Sequence, residues 1–420
     1  MSIPQPHRHL ISRFTSNFCS THSNFSDSSL HCMPGMAILK SSSIDSDASG
    51  TTTSFLPNDV DLGGDLLAEI IRRLPLDSVA RSRAVSRNWR AAISDGYLRR
   101  RLPLHMSMIC FPDNDDPFGG GGSASLPLFA CATEGRRLEE RDIGFFPLHD
   151  RSVVCDACNG LLLCRAPGTR DFYVVSPVTR TWAALPRPAK DASLSVLAFD
   201  PFGTSPQQHY HVINFTGWRD RGAAVEVFSS ETRAWTAHEV DFGGVPAGSL
   251  SGASVHCHDG AAYFLASDPD CAVRMDLAAG AGLACTVVAL PEPSDGHGRL
   301  AHCGSRLHYV CSDGELLKVW ALEDVQRWRL KHAVRVGGDI VEGGGGEVRF
   351  LAMHPEKSAV VYLWSPWKLV EYDLSKRELT GVAWEFAKGA RNRVVKTWLV
   401  PSSCYLSDCF ADAPAGGAMI

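Results

Sequence analysis

This chain of 420 residues is expected to form an α+β multidomain protein: a small three-helix module, then an all-β repeat domain of propeller type with about six blades. Three observations carry that expectation. Apolar residues recur at three- and four-residue spacing between Leu62 and Leu74, the period of an amphipathic helix. From residue 103 onward that periodicity gives way to short β-branched and aromatic runs separated by Gly- and Pro-rich turns, the pattern of all-β domains. Within that region the pattern S-x-x-T-R-x-W occurs twice, at Ser176–Trp182 and Ser229–Trp235, 53 residues apart.

Residues 1–54 stand apart. They hold 19 Ser and Thr, and their first acidic residue is Asp27. Without apolar periodicity the segment reads as disordered. A Ser-rich, acid-poor start with Arg8, Arg13 and Lys40 also fits an organelle transit peptide, and Met33 or Met36 could be the true start. For the whole chain, 45% hydrophobic and 21% charged residues exclude global disorder. A net charge of −5 excludes a strongly basic nucleic-acid binder. The longest weakly charged apolar run, Leu277–Pro291, is shorter than the roughly 18 residues of a membrane span and reads as a strand with a loop. The 14 cysteines are scattered singly, which suits reduced thiols in a cytoplasmic or nuclear protein. The glycosylation-type triplets at Asn24 and Asn214 carry little meaning without a secretory signal.

Residues 55–102 form the helical module. Leu62, Leu66, Leu67, Ile70, Ile71 and Leu74 share one helix, with Asp65 near its start and Pro75 at its end. Asp77 and Ser78 can cap a second helix carrying Val79, and Ser86 a third carrying Trp89, which Gly96 ends. A module of this size buries little surface alone and leaves large apolar side chains for a partner. Nine arginines against four acids between residues 62 and 102 give it +5, so the remainder carries −10. Part of that charge is a solvated helical face. The rest suits steering toward an acidic partner.

The stretch from Leu62 through Asp65-Leu66-Leu67-Ala68-Glu69-Ile70-Ile71-Arg72-Arg73-Leu74-Pro75, then Val79, Arg83 and Val85-Ser86-Arg87-Asn88-Trp89-Arg90, resembles an F-box over about 40 residues. Gly63 stands where that family usually has proline, and a Leu56-Pro57 dipeptide lies six residues earlier. Arg87 keeps the charge of the usual lysine. The resemblance implies docking on the Skp-type adaptor of a cullin–RING ubiquitin ligase. It carries the adaptor contact over to Leu66, Ile70, Leu74, Pro75, Leu76 and Val79, with Val85 and Trp89 matching the later part of the pattern.

Residues 103–406 form the β domain and 407–420 a flexible tail. Each S-x-x-T-R-x-W follows an apolar strand, Phe172–Val175 or Val225–Phe228. Strand, polar turn and Trp-bearing strand make the outer hairpin of a blade. Tyr372–Lys376 before Trp384 repeats the idea. Asn159-Gly160, Asp259-Gly260 and Cys303-Gly304 each lead into a strand, as hairpin turns do. Leu316–Leu330 fits a helix or strands equally well. A period near 50 residues over this length gives about six blades of kelch type. An F-box followed by such repeats is similar to the plant F-box proteins with kelch-like or F-box-associated domains.

Candidate chemistry is sparse. Cys155-Asp156-Ala157-Cys158 lacks the second ligand pair of a zinc site, and a strand rather than a helix follows it. His256, Cys257 and His258 fall about 45 residues before His302 and Cys303, at analogous places in neighbouring repeats. Such positions can meet around a propeller axis, so a metal is conceivable, although strand-end histidines explain them equally. The glycine runs at 119–122 and 343–346 lack the Lys-Ser/Thr of a phosphate loop, and no G-x-S-x-G, H-E-x-x-H or kinase set is present. The leading expectation is therefore a non-catalytic ligase subunit without catalytic residues, cofactor or metal, nucleic acid or membrane. Its module docks the Skp-type adaptor, and through it cullin and RING subunits. Its β domain holds a client protein. His209, Tyr210, Trp218, Trp364 and Trp367 are the candidate client contacts, because propeller loops carry binding. The alternative is a small-molecule receptor or a metal-dependent propeller enzyme, for which His302, His308, Tyr309 and Tyr263 are the available ligands.

Overall fold

The computed structural model describes residues 64–74, 78–79, 82, 89, 104–112, 128–133, 137–202, 209–277, 282–293, 298–312, 316–324, 326–336, 340, 348–365, 368–385 and 392–401. The expectations for residues 1–54, for the glycine runs and for the tail lie outside them. So does most of the second and third helices, of which only 78–79, 82 and 89 are described, all helical.

Helix α1 spans Gly64–Arg73. Glu69 and Arg73 pair at 2.7 Å one turn apart, and the amide of Leu74 donates to the carbonyl of Ile71 at 3.1 Å. Pro75 cannot donate an intrahelical bond, which accounts for the stop.

The described β residues form six antiparallel sheets of four strands each, the six blades expected from the repeat period. The first blade holds β1 (Leu104–Pro112), β2 (Leu128–Thr133) and β3 (Glu139–Glu140). The second holds β4 (Val153–Cys158), β5 (Leu161–Arg165), β6 (Phe172–Ser176) and β7 (Thr181–Ala184). The third holds β8 (Leu194–Phe199), β9 (Tyr210–Trp218), β10 (Gly222–Ser229) and β11 (Ala234–Asp241). The fourth holds β12 (Leu250–His258), β13 (Ala261–Ser267), β14 (Asp270–Asp276) and β15 (Cys285–Ala289). The fifth holds β16 (Arg299–Cys303), β17 (Arg306–Ser312), β18 (Leu316–Asp324) and β19 (Arg327–Arg335). The sixth holds β20 (Arg349–Met353), β21 (Val360–Ser365), β22 (Lys368–Asp373) and β23 (Glu378–Glu385). Strand β24 (Asn392–Pro401) returns to pair with β1, from Leu104 opposite Pro401 to Pro112 opposite Asn392. The last strand thus completes the first blade and closes the ring, with β4, β8, β12, β16, β20 and β24 innermost.

Closure leaves no open seam between the first and last repeats. Leu316–Leu330 resolves as the hairpin of β18 and β19. Its residues alternate between buried and half-exposed along β18, the period of a strand, and Asp324 ends the first run. Apolar clusters fill the gaps between blades. Val310, Val319, Val361 and Val370 pack between the fifth and sixth. Met106, Met108, Tyr362 and Leu369 pack between the sixth and first.

The S-x-x-T-R-x-W repeat now has a physical cause. Arg180 and Arg233 both adopt the left-handed conformation, φ 56°, in the turns from β6 to β7 and from β10 to β11. Arg377 does the same, φ 57°, between β22 and β23. The Trp that follows sits on an outermost strand and reaches toward the preceding blade. Trp235 Nε1 donates to the carbonyl of Pro186 at 2.6 Å. In the fifth blade Trp328 Nε1 donates to the carbonyl of Ala289 at 2.7 Å. Innermost hairpins use Asn159-Gly160 and Asp259-Gly260, with φ positive at both residues of each turn. That geometry matches strand twist and explains the glycines.

Candidate functional site

Helix α1 carries two apolar stripes. Leu67 and Ile71 are buried, Ile71 completely. Leu66 is 53% exposed, and Ile70 and Leu74 are half-buried. Positions 66, 70 and 74 are spaced by four and share one side of the helix. A helix with a second apolar stripe left at the surface is suited to a partner. Of the other residues expected to meet the adaptor, Val79 is buried and Trp89 half-buried. Pro75, Leu76 and Val85 lie outside the described residues.

The five candidate client contacts do not meet. Successive strands of a blade run in opposite directions, so the β8–β9 connection, which ends in His209 and Tyr210, lies at one end of the propeller. The β9–β10 connection after Trp218 and the β21–β22 turn after Trp364 lie at the other. Tyr210 is buried, its ring 6.1 Å from that of Phe228, and His209 is half-buried. Trp218 stacks on Phe215 with ring centroids 4.8 Å apart, and its Nε1 donates to Ser193 Oγ at 2.9 Å. Trp364 is buried beneath the Arg349 guanidinium, 5.5 Å from the ring centroid. Trp367 lies outside the described residues. Tyr210 and Trp364 therefore serve the interior and offer little surface to a client.

The propeller axis is where polar side chains gather. His256 on β12 and His302 on β16 meet, with Nε2 of one and Nδ1 of the other 3.3 Å apart. His258 stacks on His302 at 4.5 Å and 10°, and the edge of Phe202 meets His302 at 4.9 Å. Burial, reinforced by His258 and His308, pushes His302 down to about 3. Burial, with His302, His258 and Lys396 nearby, drives His256 well below its ordinary value. Both imidazoles are therefore neutral at physiological pH.

Beside them, Lys396 on β24 donates to Asp156 Oδ1 on β4 at 2.6 Å and to the carbonyl of Ala157 at 2.8 Å. This half-buried pair joins the returning strand to the second blade, a polar lock on ring closure. Burial alone would lower Lys396, but Asp156 outweighs it and holds the amine above its ordinary value. Asp156 Oδ2 accepts the amide of Leu197 on β8 at 2.8 Å, and Asn159 Nδ2 donates to the carbonyl of Phe199 at 2.6 Å. Asp200 Oδ2 accepts the amide of Asp259, at the turn after β12, at 2.7 Å, so the inner strands β24, β4, β8 and β12 are tied in series. A lone lysine within the apolar run Val394-Val395-Lys396-Thr397-Trp398 is the sequence signal that could have found this lock, which the sequence reading missed.

The C-x-x-C is part of this ring and not a ligand pair. Cys158 Sγ points to the carbonyl of Phe199 at 3.4 Å and Cys155 Sγ to that of Val153 at 3.8 Å. Burial pushes Cys155 up to about 11 and Cys164 up to about 12, which keeps both protonated and unreactive. The ten described cysteines are free thiols. The metal-enzyme set does not converge either. Tyr263 and Tyr309 pack with Leu265 and Leu307 between the fourth and fifth blades, whereas His302 faces the axis. Among the described residues no group of three or more His, Cys, Asp and Glu is placed to hold a metal ion.

Comparison with known proteins agrees with this architecture. Residues 54–101 match the F-box domain model, and residues 144–400 match the model described as "F-box protein At3g26010-like, beta-propeller". Among relatives, the "Putative F-box/kelch-repeat protein At1g15680" of Arabidopsis thaliana is 28% identical over 357 residues, covering 76% of this chain and 83% of the relative. The "F-box protein At3g26010" of the same plant is 26% identical over 326 residues, covering 71% and 72%.

Proposed function

We propose a function from the family to which this chain belongs, the F-box proteins with an At3g26010-like β-propeller. That organisation is one of a substrate-recognition adaptor of the Skp–cullin–F-box type. In our reading α1 and the residues after it dock a Skp-type adaptor, which brings the cullin and RING subunits. The propeller holds a client protein, in the cytoplasm or nucleus. The chain supplies no acid, base or nucleophile to ubiquitin transfer. Its contribution is proximity: tethering raises the effective concentration of client lysines at the charged conjugating enzyme.

The observation that carries this reading is the outward stripe of Leu66, Ile70 and Leu74 on a helix that already buries Leu67 and Ile71. Co-expression of the full chain with a Skp-type adaptor, followed by sizing, tests it. The wild-type chain should elute as a one-to-one complex. Leu66→Asp places a charge on the exposed stripe without touching the buried one, and should abolish the complex while leaving the propeller's melting unchanged. Leu74→Asp with Pro75→Ala should act alike. An adaptor that still co-elutes with Leu66→Asp would overturn the assignment of this stripe.

A further inference from the structure

The outermost strand of the fifth blade differs from its counterparts in charge. Strands β3, β11 and β23 each carry two carboxylates and no Lys or Arg, and β7 and β15 carry no charged residue. Strand β19 carries Arg327, Arg329, Lys331 and Arg335 and no acid. Arg327, Arg329 and Lys331 all reach one carboxylate, that of Glu323 on β18, at 4.0, 3.4 and 3.2 Å. One carboxylate cannot occupy the donors of two guanidiniums and an ammonium. Counting also Asp324, which stands opposite Arg327, the cations still outnumber the acids.

Two further features mark the same edge. Leu330 is 42% exposed; with Leu66 it is one of two large apolar side chains left at the surface among the described residues. A bulge lies beside it. Val319 stands opposite His332 and Trp320 opposite Leu330, so Lys331 is an extra residue, and a bulge re-aims the side chains around it. The backbone edge is also open. Gln326 covers the outer edge of β15, accepting the amide of Ala289 and donating to the carbonyl of Val287. The amide of Leu138 likewise donates to the carbonyl of Ala383 on β23. Among the described residues no hydrogen bond from another blade reaches the backbone of residues 327–334. An open edge is a template for another strand. Its cations repel a second copy of β19 and favour an acidic strand for the same reason. A nucleic acid would use the cations but leave Leu330 and the backbone edge idle.

We propose that β19 receives an extended acidic peptide as a fifth strand of its blade. The peptide sets carboxylates on Arg327, Arg329 and Lys331 and an aliphatic residue against Leu330. Calling it part of a client rests on the ligase reading; the binding itself needs no adaptor. Random nine-residue peptides, the length of β19, are displayed and selected on the full chain. Selected peptides should combine Asp or Glu with an aliphatic residue and lack Lys and Arg. Fluorescence anisotropy of a labelled selected peptide then gives affinities. Binding should weaken about tenfold in the double variant Arg329→Glu with Lys331→Glu and about fivefold in Leu330→Ser. Glu323→Gln removes the competing carboxylate and should tighten binding about threefold, with melting temperatures confirming that each variant folds. Selection of peptides without acidic residues overturns the proposal. So does unchanged affinity in the charge-reversed variant, weaker binding in Glu323→Gln, or an oligothymidylate that binds as tightly as the selected peptide. Adaptor co-elution without peptide binding removes this site and leaves the ligase reading; peptide binding without co-elution does the converse.

Discussion

Lowering the pH from 7.5 to 5.5 is expected to destabilise this propeller sharply, because several histidines are buried in the neutral form. Burial, helped by Arg141, pushes His105 down to about 4. Burial, helped by His258 and His308, takes His302 to about 3. Burial, with Lys331, Arg306 and His332 outweighing a bond to the Arg306 carbonyl, takes His308 to about 4. In the unfolded chain each returns to its ordinary 6.5. Between those values the unfolded state binds more protons, so stability falls as pH falls. The stability is fully present above 6.5 and is lost progressively toward the folded-state values.

At pH 5.5 the unfolded state gains about 1.4 kcal/mol from protonating each such histidine, while the folded state gains almost nothing. Three of them amount to about 4 kcal/mol, and His256, also driven well below its ordinary value, acts in the same direction. Against a typical 5–15 kcal/mol of total stability, roughly 4 kcal/mol is a large share. With about 2.1 cal/mol/K per residue over roughly 300 residues, the midpoint should drop by about 6–7 °C. Calorimetric melts at constant ionic strength measure this. His302→Gln should recover about a third of the drop, roughly 2 °C. A midpoint that moves by less than about 2 °C between the two pH values would refute the assignment of these imidazoles as neutral in the folded propeller.

The half-buried Lys396–Asp156 pair gives a second expectation. Lys396→Met should cost about 2–3 kcal/mol, less than the loss at a fully buried pair, by leaving the half-buried Asp156 without its cation, whereas the double variant with Asp156→Leu should recover most of that; urea midpoints decide, and equal losses in both would count against the pair. Trp235→Phe keeps the ring but removes the bond to Pro186, and should cost about 1 kcal/mol in the same assay. In binding, Leu66→Asp should lower adaptor retention to background while the melting midpoint holds.

Much of the fold could be read from the chain because a propeller repeats its local chemistry. Arg180 and Arg233 occupy the same left-handed turn position, and Trp182 and Trp235 follow on equivalent outer strands. A pair of matching seven-residue patterns was enough to set the blade period. The hairpin glycines were equally visible, since Asn-Gly and Asp-Gly turns impose a known backbone. Ring closure was not visible. The pairing of β1 with β24 joins residues at the two ends of the β domain, Leu104 opposite Pro401, and neither strand carries a pattern that names the other. Lys396, a charge inside an apolar strand, is a local hint of a partner, but nothing local identifies that partner as Asp156.

The candidate sites divide along the same line. The helix was legible from its apolar period, and the F-box resemblance singled out Leu66, Ile70 and Leu74, which the helix places on one side. His256 and His302 were legible as a pair because they occupy analogous positions in adjacent repeats, and adjacent inner strands do bring them to 3.3 Å. The aromatic candidates were chosen for residue type and loop position, without strand direction. Direction decides the matter. Tyr210 begins β9 and Trp218 ends it, so a strand of nine residues separates them by about 27 Å at 3.3–3.4 Å per residue. No single small client segment docked at one end contacts both. A client search by mutagenesis should therefore treat the two ends separately, and should leave Tyr210 and Trp364 in place, since truncating either opens the interior before it tests a surface.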